Sequence, residues 1–481
     1  MRVSTRIAPR DWAEFVLQLA EPSQQDWVAL EFKGEKITIK ELAEAMGKAA
    51  ATLADGERRP VAVSDGNPIR HTIAVLGAVA AGRTAMLVDS KVPAAMLAEL
   101  AEKAAVETAI GRPIPDTEFV EFSALSSGEP IDPIESDPET TGSIFLTSGS
   151  TGVPKMVMRS RAADLHAAMC LRLANFPIDP GDRHWMCVPH ASASFLTLLM
   201  GGIFARATVV LEPFEAAKVD RFLVEKQISS AYMVPTMLRL ARERMGLEGE
   251  GWRGLRALMI GGEKLDAPTA EALFDLFAGR MYLSYGMTEI PRPAEATFEQ
   301  MVARPGTVGR PIPLRRIRIV EPGTDVDVPI GEEGEVLATG PDLYQGYVGG
   351  GPAPPWHPTT DLGRLDEQGF LYITGRAASV VQVGANRVST DEVAAELRRH
   401  PVIAQAAVIA IEDPVWTTQL RGFVITHTGE EIPEEELKNW LRERQPAYKV
   451  PRAFHHLSEL PRDPSGKLSM QTLKQLATDL S

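Results

Sequence analysis

A repeated local pattern constrains the fold of this chain more than any other feature of its sequence. A short run of apolar residues ends in a small polar loop, and a helical pattern often follows. The clearest runs begin at Val61, Thr84, Ser143, His184, Leu255 and Met281. Runs that are apolar throughout, instead of alternating, are typical of strands covered on both faces. The pattern therefore predicts an α/β fold with doubly wound, mostly parallel sheets.

The loops after these runs predict where a ligand would bind. In doubly wound sheets, ligands occupy the crevice outside the C-terminal ends of the strands. Four of the loops are rich in serine, threonine, glycine, histidine and glutamate. The predicted crevice therefore carries polar and charged side chains.

After about residue 375 the pattern changes. Residues 388–400 predict a helix with Ser389 or Thr390 near its N-cap. Residues 401–413 and 421–429 predict strands, and residues 430–446 predict a charged helix. This part indicates a separate α+β domain of about 100 residues.

Composition excludes several classes of protein. The chain has 50 Lys and Arg against 64 Asp and Glu, a net charge of −14, whereas a general nucleic-acid binder needs a basic face. No apolar stretch approaches the roughly 18 residues of a membrane span. Cys170 and Cys187 lack metal-ligand spacing and predict buried free thiols. With no secretory signal at the N-terminus, we expect a cytoplasmic protein.

Residues 147–155, with the sequence TSGSTGVPK, form the strongest single chemical signal. Four hydroxyl groups can donate to phosphate oxygens, two glycines allow close backbone approach, and a lysine adds a positive charge. The segment is not a Walker A loop, because the lysine does not follow a G-x4-G pattern with Ser or Thr behind it. The phosphate-binding candidates are Thr147, Ser148, Gly149, Ser150, Thr151, Gly152 and Lys155.

This loop resembles the phosphate loop of the adenylate-forming superfamily, which contains acyl-CoA synthetases, peptide-synthetase adenylation domains and luciferases. Further motifs of the superfamily follow in the expected order: YGMTE at 285–289, GEV at 334–336, TTD at 359–361, GR at 375–376 and DPSGK at 463–467. Each motif alone is moderately specific, whereas the ordered set is highly specific. The resemblance covers residues 61–473, most of the chain.

The resemblance implies two domains and a reaction in two steps. Residues 1–375 would form the large AMP-binding domain, with a small β-rich subdomain, and residues 376–481 a mobile domain with the catalytic lysine. ATP, Mg²⁺ and a carboxylic acid would give an acyl-adenylate and pyrophosphate, and the thiol of CoA would then displace AMP. Alternatively, an amine or a carrier protein would accept the acyl group. A catalytically weak nucleotide-binding protein is disfavoured, because Lys467, Glu289 and Asp361 are all present.

The resemblance also implies residue roles. Lys467 would bridge the carboxylate and the α-phosphate as negative charge builds. Thr288 would donate to the α-phosphate, and Glu289 would hold Mg²⁺, which prefers oxygen ligands. The remaining nucleotide-binding candidates are Gly262, Glu263, Tyr285, Gly286, Asp361 and Arg376. Among them, Asp361 and Arg376 would bind the ribose and Tyr285 would stack near the adenine.

The acid pocket is predicted less sharply. His190 lies where relatives carry a gating residue, although a histidine satisfied at a strand end explains it nearly as well. The pocket candidates are His190, Ser194, Tyr232, Gly261 and Ser284, and core packing also explains Tyr232. Members that activate α-amino acids usually carry an aspartate after this segment, whereas residues 192–196 contain no acid. We therefore expect a carboxylic acid with a neutral aryl or alkyl tail.

The sequence departs from the family pattern at three positions. Met156 and Thr360 stand where the family usually has glycine, and Ala378 occupies the hinge position, which usually holds an acid or a lysine. A separate segment, 346–358, is dense in glycine and proline and predicts a surface loop, because neither residue suits a helix or a central strand.

Overall fold

The computed structural model describes residues 9–22, 26–55, 58–147, 154–263, 265, 267–274, 276–277, 280–376, 380–383, 386–413, 417–462 and 468–479. The chain divides into two compact units, the first with residues 1–149, 153–317 and 338–357, the second with 150–152, 318–337 and 358–481. This division differs from the predicted boundary, because residues 318–337 and 358–375 group with the C-terminal part. The predicted boundary at Arg376 concerns the start of the mobile C-terminal domain, and it stays a prediction.

The helices and strands follow one another in this chain order. The helices are α1 (Trp12–Leu19), α2 (Ile39–Leu53), α3 (Pro68–Ala80), α4 (Ala94–Lys103), α5 (Arg161–Leu173), α6 (Ala193–Phe204), α7 (Val219–Glu225), α8 (Pro235–Met245), α9 (Glu250–Gly254), α10 (Ala267–Phe274), α11 (Phe298–Ala303), α12 (Thr390–Leu397), α13 (Glu434–Arg442) and α14 (Met470–Asp479). The strands are β1 (Val28–Phe32), β2 (Glu35–Thr38), β3 (Val61–Val63), β4 (Ala85–Leu87), β5 (Thr108–Ile110), β6 (Glu118–Val120), β7 (Thr141–Thr147), β8 (Lys155–Ser160), β9 (Arg183–Met186), β10 (Thr208–Val210), β11 (Ser230–Met233), β12 (Ala257–Gly261), β13 (Met281–Tyr285), β14 (Ala294–Thr297), β15 (Thr307–Pro311), β16 (Arg316–Val320), β17 (Gly334–Thr339), β18 (Gly346–Tyr347), β19 (His357–Leu365), β20 (Leu371–Arg376), β21 (Val380–Val383), β22 (Asn386–Ser389), β23 (Ile403–Asp413), β24 (Thr417–Thr426) and β25 (Ala453–His456).

The first unit contains strands of two mostly parallel sheets. One has the order β15-β14-β13-β12-β11-β9-β10-β1-β2, and its strands from β13 to β1 run parallel. The other has the order β18-β8-β7-β4-β3-β5-β6, with β7 to β6 parallel and β8 and β18 antiparallel at one edge. The predicted fold class is confirmed.

Apolar side chains on both faces of these sheets form the core. Successive residues of one strand join different clusters: Trp185 packs with α7 to α9, and Met186 with the helices α1, α2, α3, α5 and α6. The cluster of Met186 also contains Val61 and Val63 of the other sheet, whereas Ala62 between them packs with α4. Helices therefore cover both faces of each sheet, as the uniformly apolar runs predict.

The second unit has its own core. Strands β23, β24 and β25 form a sheet whose alternate residues pack against α12 and α13 on one face and α14 on the other. Ser389 caps α12 by accepting from the Glu392 backbone N, as predicted. Strands β16, β17, β19 and β20 are also neighbours in the order β16-β17-β19-β20 and supply the β-rich part. Across the described ranges, no helix is long and apolar enough to cross a membrane.

Candidate active site

The loops with the predicted chemistry follow neighbouring parallel strands of the first unit. Strands β9, β11, β12 and β13 lie side by side and run in one direction. Tyr232 on β11 pairs with Met259 on β12, and Gly261 at the end of β12 pairs with Ser284 on β13. The loops after these strands therefore leave the sheet at one edge, where parallel sheets bind ligands.

The predicted phosphate loop connects two antiparallel strands. Thr147 ends β7 and pairs with Lys155 at the start of β8, while residues Ser148, Gly149, Ser150, Thr151 and Gly152 lie outside the described residues. The general pattern of a strand followed by a helix does not hold at this run, because β8 precedes α5. The hairpin register places Thr147 and the exposed Lys155 opposite each other at the two ends of the loop.

Lys155 and Glu289 both contact one tyrosine that the sequence analysis did not select. Lys155 Nζ lies 5.0 Å from the centre of the Tyr347 ring, and the Tyr347 hydroxyl donates to Glu289 Oε1 over 2.8 Å. A cation over an aromatic face is attracted by the ring quadrupole. Tyr347 reaches this place because β18 pairs with β8, with Tyr347 opposite Val157. The two predicted groups, a phosphate-loop cation and a metal-binding carboxylate, are thus joined through Tyr347.

The prediction of a surface loop at 346–358 is wrong at both ends of the segment. Gly346 and Tyr347 form the edge strand β18, the Val348 N donates to the Met156 carbonyl over 2.9 Å, and His357 is only 6% exposed. The glycines and prolines between these ends stay outside any central strand. The dipeptide Gly346-Tyr347, a large aromatic residue at the start of a glycine-rich segment, was the available sign of an anchored loop end.

Tyr344 and His357 complete the surroundings of Glu289. The Tyr344 ring lies edge-on to the rings of Tyr347 and His357, with centroids 5.2 and 5.1 Å away. Burial lowers the pKa of His357, and the nearby Glu289 carboxylate opposes this shift. Burial raises the pKa of Tyr347, and the same carboxylate raises it further. At neutral pH the histidine is therefore uncharged. The tyrosine hydroxyl keeps its proton and donates a hydrogen bond to Glu289.

Glu289 fits a magnesium ion that is bound mainly through ATP. Magnesium is usually held by one or two carboxylates together with substrate phosphates and water. Within the described part of the chain, no group of three or more His, Cys, Asp or Glu could hold a metal. A single carboxylate, oriented by the hydrogen bond from Tyr347, matches the magnesium-nucleotide mode.

Buried charge anchors the backbone of the 285–289 segment. Arg159, which is fully buried, donates to the Thr288 carbonyl over 3.3 Å and forms a 2.7 Å ion pair with Asp164. A Cβ atom on Gly286 would lie 2.3 Å from the backbone N of Arg292, so this position requires glycine. The Thr288 side chain is half-exposed, which leaves it accessible to a ligand.

The side chain of Glu263 supports a helix. Its Oε2 accepts from the Thr236 hydroxyl over 2.6 Å and from the Thr236 backbone N over 3.2 Å. Thr236 is the second residue of α8, so Glu263 satisfies a backbone donor and places negative charge at the helix N-terminus. Because the Glu263 side chain is bonded to α8, the predicted contact of this loop with the nucleotide would be made by its backbone. Gly262 in the loop is exposed, and Tyr285 on β13 is half-exposed.

The structure brings together three of the predicted acid-pocket residues. A Cβ atom on Gly261 would lie 2.8 Å from the Tyr232 hydroxyl and 3.0 Å from the Ser284 carbonyl. Because Gly261 has no side chain, the Tyr232 hydroxyl and the Ser284 carbonyl can approach its backbone closely. Ser194 lies exposed on α6.

His190 is held from the α3 side. Its Nε2 lies 2.7 Å from the Asp65 carbonyl oxygen, and its ring lies edge-on to His71 with centroids 4.7 Å apart. One ring nitrogen is therefore satisfied, as the strand-end alternative requires. The gating role of His190 stays a prediction.

Asp361 and Arg376 belong to the second unit. They pair across β19 and β20, and Asp361 is 7% exposed. Thr360, which replaces the usual glycine, has a φ of 61°. This left-handed conformation is costly for a β-branched residue, so the backbone geometry usually provided by glycine is kept under strain.

The lysine motif and the hinge position fall outside the described residues. These are Lys467, within 463–467, and Ala378, within 377–379. Arg462 and Leu468, the residues on either side of the lysine motif, form an antiparallel bridge, so the ends of that segment lie together.

Lys155 follows the loop after β7, and Glu289 follows β13 of the other sheet. Both groups therefore lie beyond the C-terminal ends of strands in an α/β fold, where such folds bind nucleotides and other ligands. The sequence model of the family described as AMP-binding enzyme matches residues 18–348, and that of the AMP-binding enzyme C-terminal domain matches residues 392–467. The chain belongs to the AMP-binding enzyme family.

Individual relatives agree with this assignment. The 2-succinylbenzoate–CoA ligase of Bacillus licheniformis is 32% identical over 370 residues, 74% of each chain. That of Bacillus cereus (strain AH820) is 29% identical over 472 residues, 95% of this chain and 96% of the relative. The o-succinylbenzoate CoA synthetase of Bacillus subtilis, solved with its acyl-adenylate OSB-AMP, has a TM-score of 0.85 at 25% identity, covering 96% of this chain and 97% of that one. The same synthetase has been solved with ATP and a magnesium ion.

These comparisons confirm the predicted superfamily and the enzyme class, an AMP-forming acid–thiol ligase. The predicted cofactors, ATP and Mg²⁺ with CoA as co-substrate, agree with those named for these relatives. The roles of the individual site residues stay predictions.

Proposed function

We propose that the protein is an ATP-dependent acyl-CoA synthetase, which converts a carboxylic acid to an acyl-adenylate with release of pyrophosphate and then transfers the acyl group to CoA. The contacts of Tyr347 with Lys155 and Glu289 carry this proposal. They hold a phosphate-binding cation and a metal-binding carboxylate on two sides of one ring.

The first step joins two anions, the acid and the triphosphate, and therefore needs positive charge that is already in place. Lys155 binds phosphate oxygens, and Thr288 donates to the α-phosphate. Glu289 holds the magnesium ion, which, when bound, offsets charge on the phosphate oxygens. Tyr347 orients Glu289 before ATP arrives, so little reorganisation is needed during the reaction.

The remaining roles rest on the motifs. Lys467 bridges the carboxylate and the α-phosphate as charge develops. Asp361 accepts from the ribose hydroxyls and Arg376 supports the ribose. The backbone of Gly261 and Gly262 borders the adenine, as does Tyr285.

The acid we propose has an aryl or alkyl body and no ammonium group. Residues 192–196 contain no carboxylate to pair an ammonium, and Tyr232 and Ser284 offer only uncharged groups at the pocket. The names of the relatives, which specify 2-succinylbenzoate, support an aryl acid. Both cysteines of the chain are free thiols, which supports a reducing compartment such as the cytoplasm.

Acid-dependent pyrophosphate release from ATP tests this function. A panel of aryl, alkyl and amino acids is assayed without acceptor, with CoA, and with an amine mixture, and the products are identified by mass spectrometry. We expect CoA to stimulate turnover and acyl-CoA to form. If pyrophosphate release is independent of CoA and increases with amines, the protein is an amide-forming enzyme. If, in a further assay with a carrier protein as acceptor, release increases only with that protein, it is a carrier-loading enzyme.

A further inference from the structure

A buried network of hydrogen bonds reaches the 285–289 segment from the strand that follows the phosphate loop. Arg159 lies on β8, and its side chain is fully buried. Its Nε donates to Asp164 Oδ1 over 2.7 Å, and its Nη2 donates to the Ala163 carbonyl over 3.2 Å. The other oxygen of Asp164 accepts from the Ser143 hydroxyl over 2.6 Å. Groups on α5, supported by β7, therefore hold the guanidinium of β8 in place.

The third nitrogen of this guanidinium is directed at the 285–289 segment. Arg159 Nη1 donates to the Thr288 carbonyl over 3.3 Å. Within the described ranges, no other hydrogen bond to Thr288 is present. Glu289 has two contacts of its own, because its carbonyl accepts from the Tyr344 backbone N over 2.8 Å and its carboxylate accepts from the Tyr347 hydroxyl. The position of Thr288 therefore depends on Arg159 more than the position of Glu289 does.

The burial of Arg159 makes its position rigid. Only 1% of its side chain and 6% of the Asp164 side chain are exposed. Each nitrogen of the planar guanidinium bonds a different group, so a rotation that breaks one of these bonds disturbs the others. The position of Thr288 matters for the reaction, because a misplacement of about 1 Å in a group at the reacting atoms can reduce the rate about 10²-fold.

We propose that Arg159 is a positioning residue, which fixes the backbone at Thr288 so that the threonine hydroxyl meets the α-phosphate during adenylation. The inference rests on the adenylation step of the proposed function, in which Thr288 donates to that phosphate. Arg159 acts only through Thr288, and Asp164 and Ser143 support it in turn.

Arg159→Lys tests this role. The lysine keeps a positive charge beside Asp164, whereas its single nitrogen cannot reach Asp164, Ala163 and Thr288 at once. We expect kcat for acid-dependent pyrophosphate release to fall by about 10- to 100-fold, while the KM for the acid stays within about twofold. The assay uses the acid that gives the fastest release by the wild-type enzyme.

Arg161→Lys is the matched control. Arg161 is also buried, forms an ion pair with Asp11 over 3.1 Å and donates to the Val79 carbonyl over 2.8 Å. Neither of these partners belongs to the 285–289 segment. We expect a lower midpoint of thermal unfolding in both lysine variants, and a loss of kcat only in Arg159→Lys.

A double-mutant cycle tests whether Arg159 acts through Thr288. Thr288→Ala removes the hydroxyl that Arg159 positions, so adding Arg159→Lys to Thr288→Ala should lower kcat by less than about threefold. If Arg159→Lys yields no folded protein, Asp164→Asn takes its place, because it keeps Arg159 and weakens the group that holds it. Asp164→Asn should lower kcat by about 3- to 10-fold at an unchanged KM for the acid.

Several results would overturn the inference. These are an unchanged kcat in the Arg159 variant or its substitute, an equal loss of kcat in Arg161→Lys, or the full loss in the Thr288→Ala background. A wild-type enzyme that releases pyrophosphate with an acid but forms no acyl-CoA would overturn the proposed function alone, because pyrophosphate release precedes the transfer to CoA. A wild-type enzyme that releases no pyrophosphate with any acid would overturn both.

Discussion

Tyr347 contacts both a cation and an anion of the proposed site, so its hydroxyl and its ring have separate effects. The hydroxyl donates to Glu289 over 2.8 Å, whereas the ring face lies below Lys155. Removing the hydroxyl alone should therefore disturb the metal-binding carboxylate and leave the cation–π contact in place. A hydrogen bond to a charged group contributes about 1.5–3 kcal/mol, enough to matter for a weakly held ion.

For Tyr347→Phe we expect the magnesium concentration for half-maximal pyrophosphate release to rise by about 5- to 50-fold, because Glu289 loses its orienting donor. The KM for the acid should stay within about twofold, since Tyr347 does not border the acid pocket. The measurement is acid-dependent pyrophosphate release during a magnesium titration. Tyr372→Phe removes a similar tyrosine–carboxylate bond, to Asp366 over 3.2 Å, and serves as the control. An unchanged magnesium dependence would contradict the positioning role.

Thr360 is a second residue whose conformation has a measurable consequence. Its φ of 61° is left-handed and its side chain is exposed, so replacing it removes strain without removing buried surface. We expect Thr360→Gly to stabilise the protein by about 0.5–1 kcal/mol, seen as a higher midpoint of thermal unfolding. Thr359→Gly should do the reverse, because the buried Thr359 hydroxyl donates to the Val336 carbonyl over 2.8 Å. A lower midpoint for Thr360→Gly would show that the threonine is not strained.

Elements of this fold begin where short polar side chains cap them. Thr38 and Glu41 form a reciprocal capping box at α2, and Asn67 caps α3 ahead of Pro68. Caps of this kind use residues close in the chain, which is why the helix at 390–397 was predictable from its own sequence. At α8 the Val234 N-cap offers no side-chain hydrogen bond, and Glu263 of another loop provides the support instead.

Glu263→Ala separates the helix role from nucleotide binding. We expect the free energy of unfolding to fall by about 1 kcal/mol, because a donor at the start of α8 loses its acceptor. The KM for ATP should stay within about twofold, since the loop backbone is retained. Chemical denaturation and ATP titration of pyrophosphate release measure the two effects. Glu225→Ala, in an exposed pair with Arg221, is the control. A large rise in the ATP KM without loss of stability would assign the side chain to the nucleotide.

At the scale of the whole molecule, the two compact units each have their own hydrophobic core. The proposed reaction needs groups from the sequence motifs of both. Lys155, Thr288 and Glu289 belong to the first unit, whereas Asp361 and Lys467 belong to the second. Substitutions in the two units should therefore affect the rates of adenylation and of thioester formation to different extents.

Lys467→Ala tests this division of labour. We expect the rate of adenylation to fall by about 10²- to 10³-fold, because one preorganised positive group at the developing charge is lost. Thioester formation from supplied acyl-adenylate and CoA should be preserved. Lys474→Ala, at an exposed lysine on α14, should leave both half-reactions unchanged. Equal losses in both half-reactions for Lys467→Ala would contradict a role confined to adenylation.

The type of fold and the class of chemistry could be predicted from the amino-acid sequence, because both depend on local patterns. Uniformly apolar runs specify strands covered on both faces, and the ordered motifs specify the family. Which groups meet in space became known only from the folded chain. Tyr347 bonds Glu289 across 58 positions of the chain, and Arg292 approaches Leu171 across 121. Such contacts depend on which strand edges and helix faces pack together. The local periodicity of the sequence does not specify these pairings.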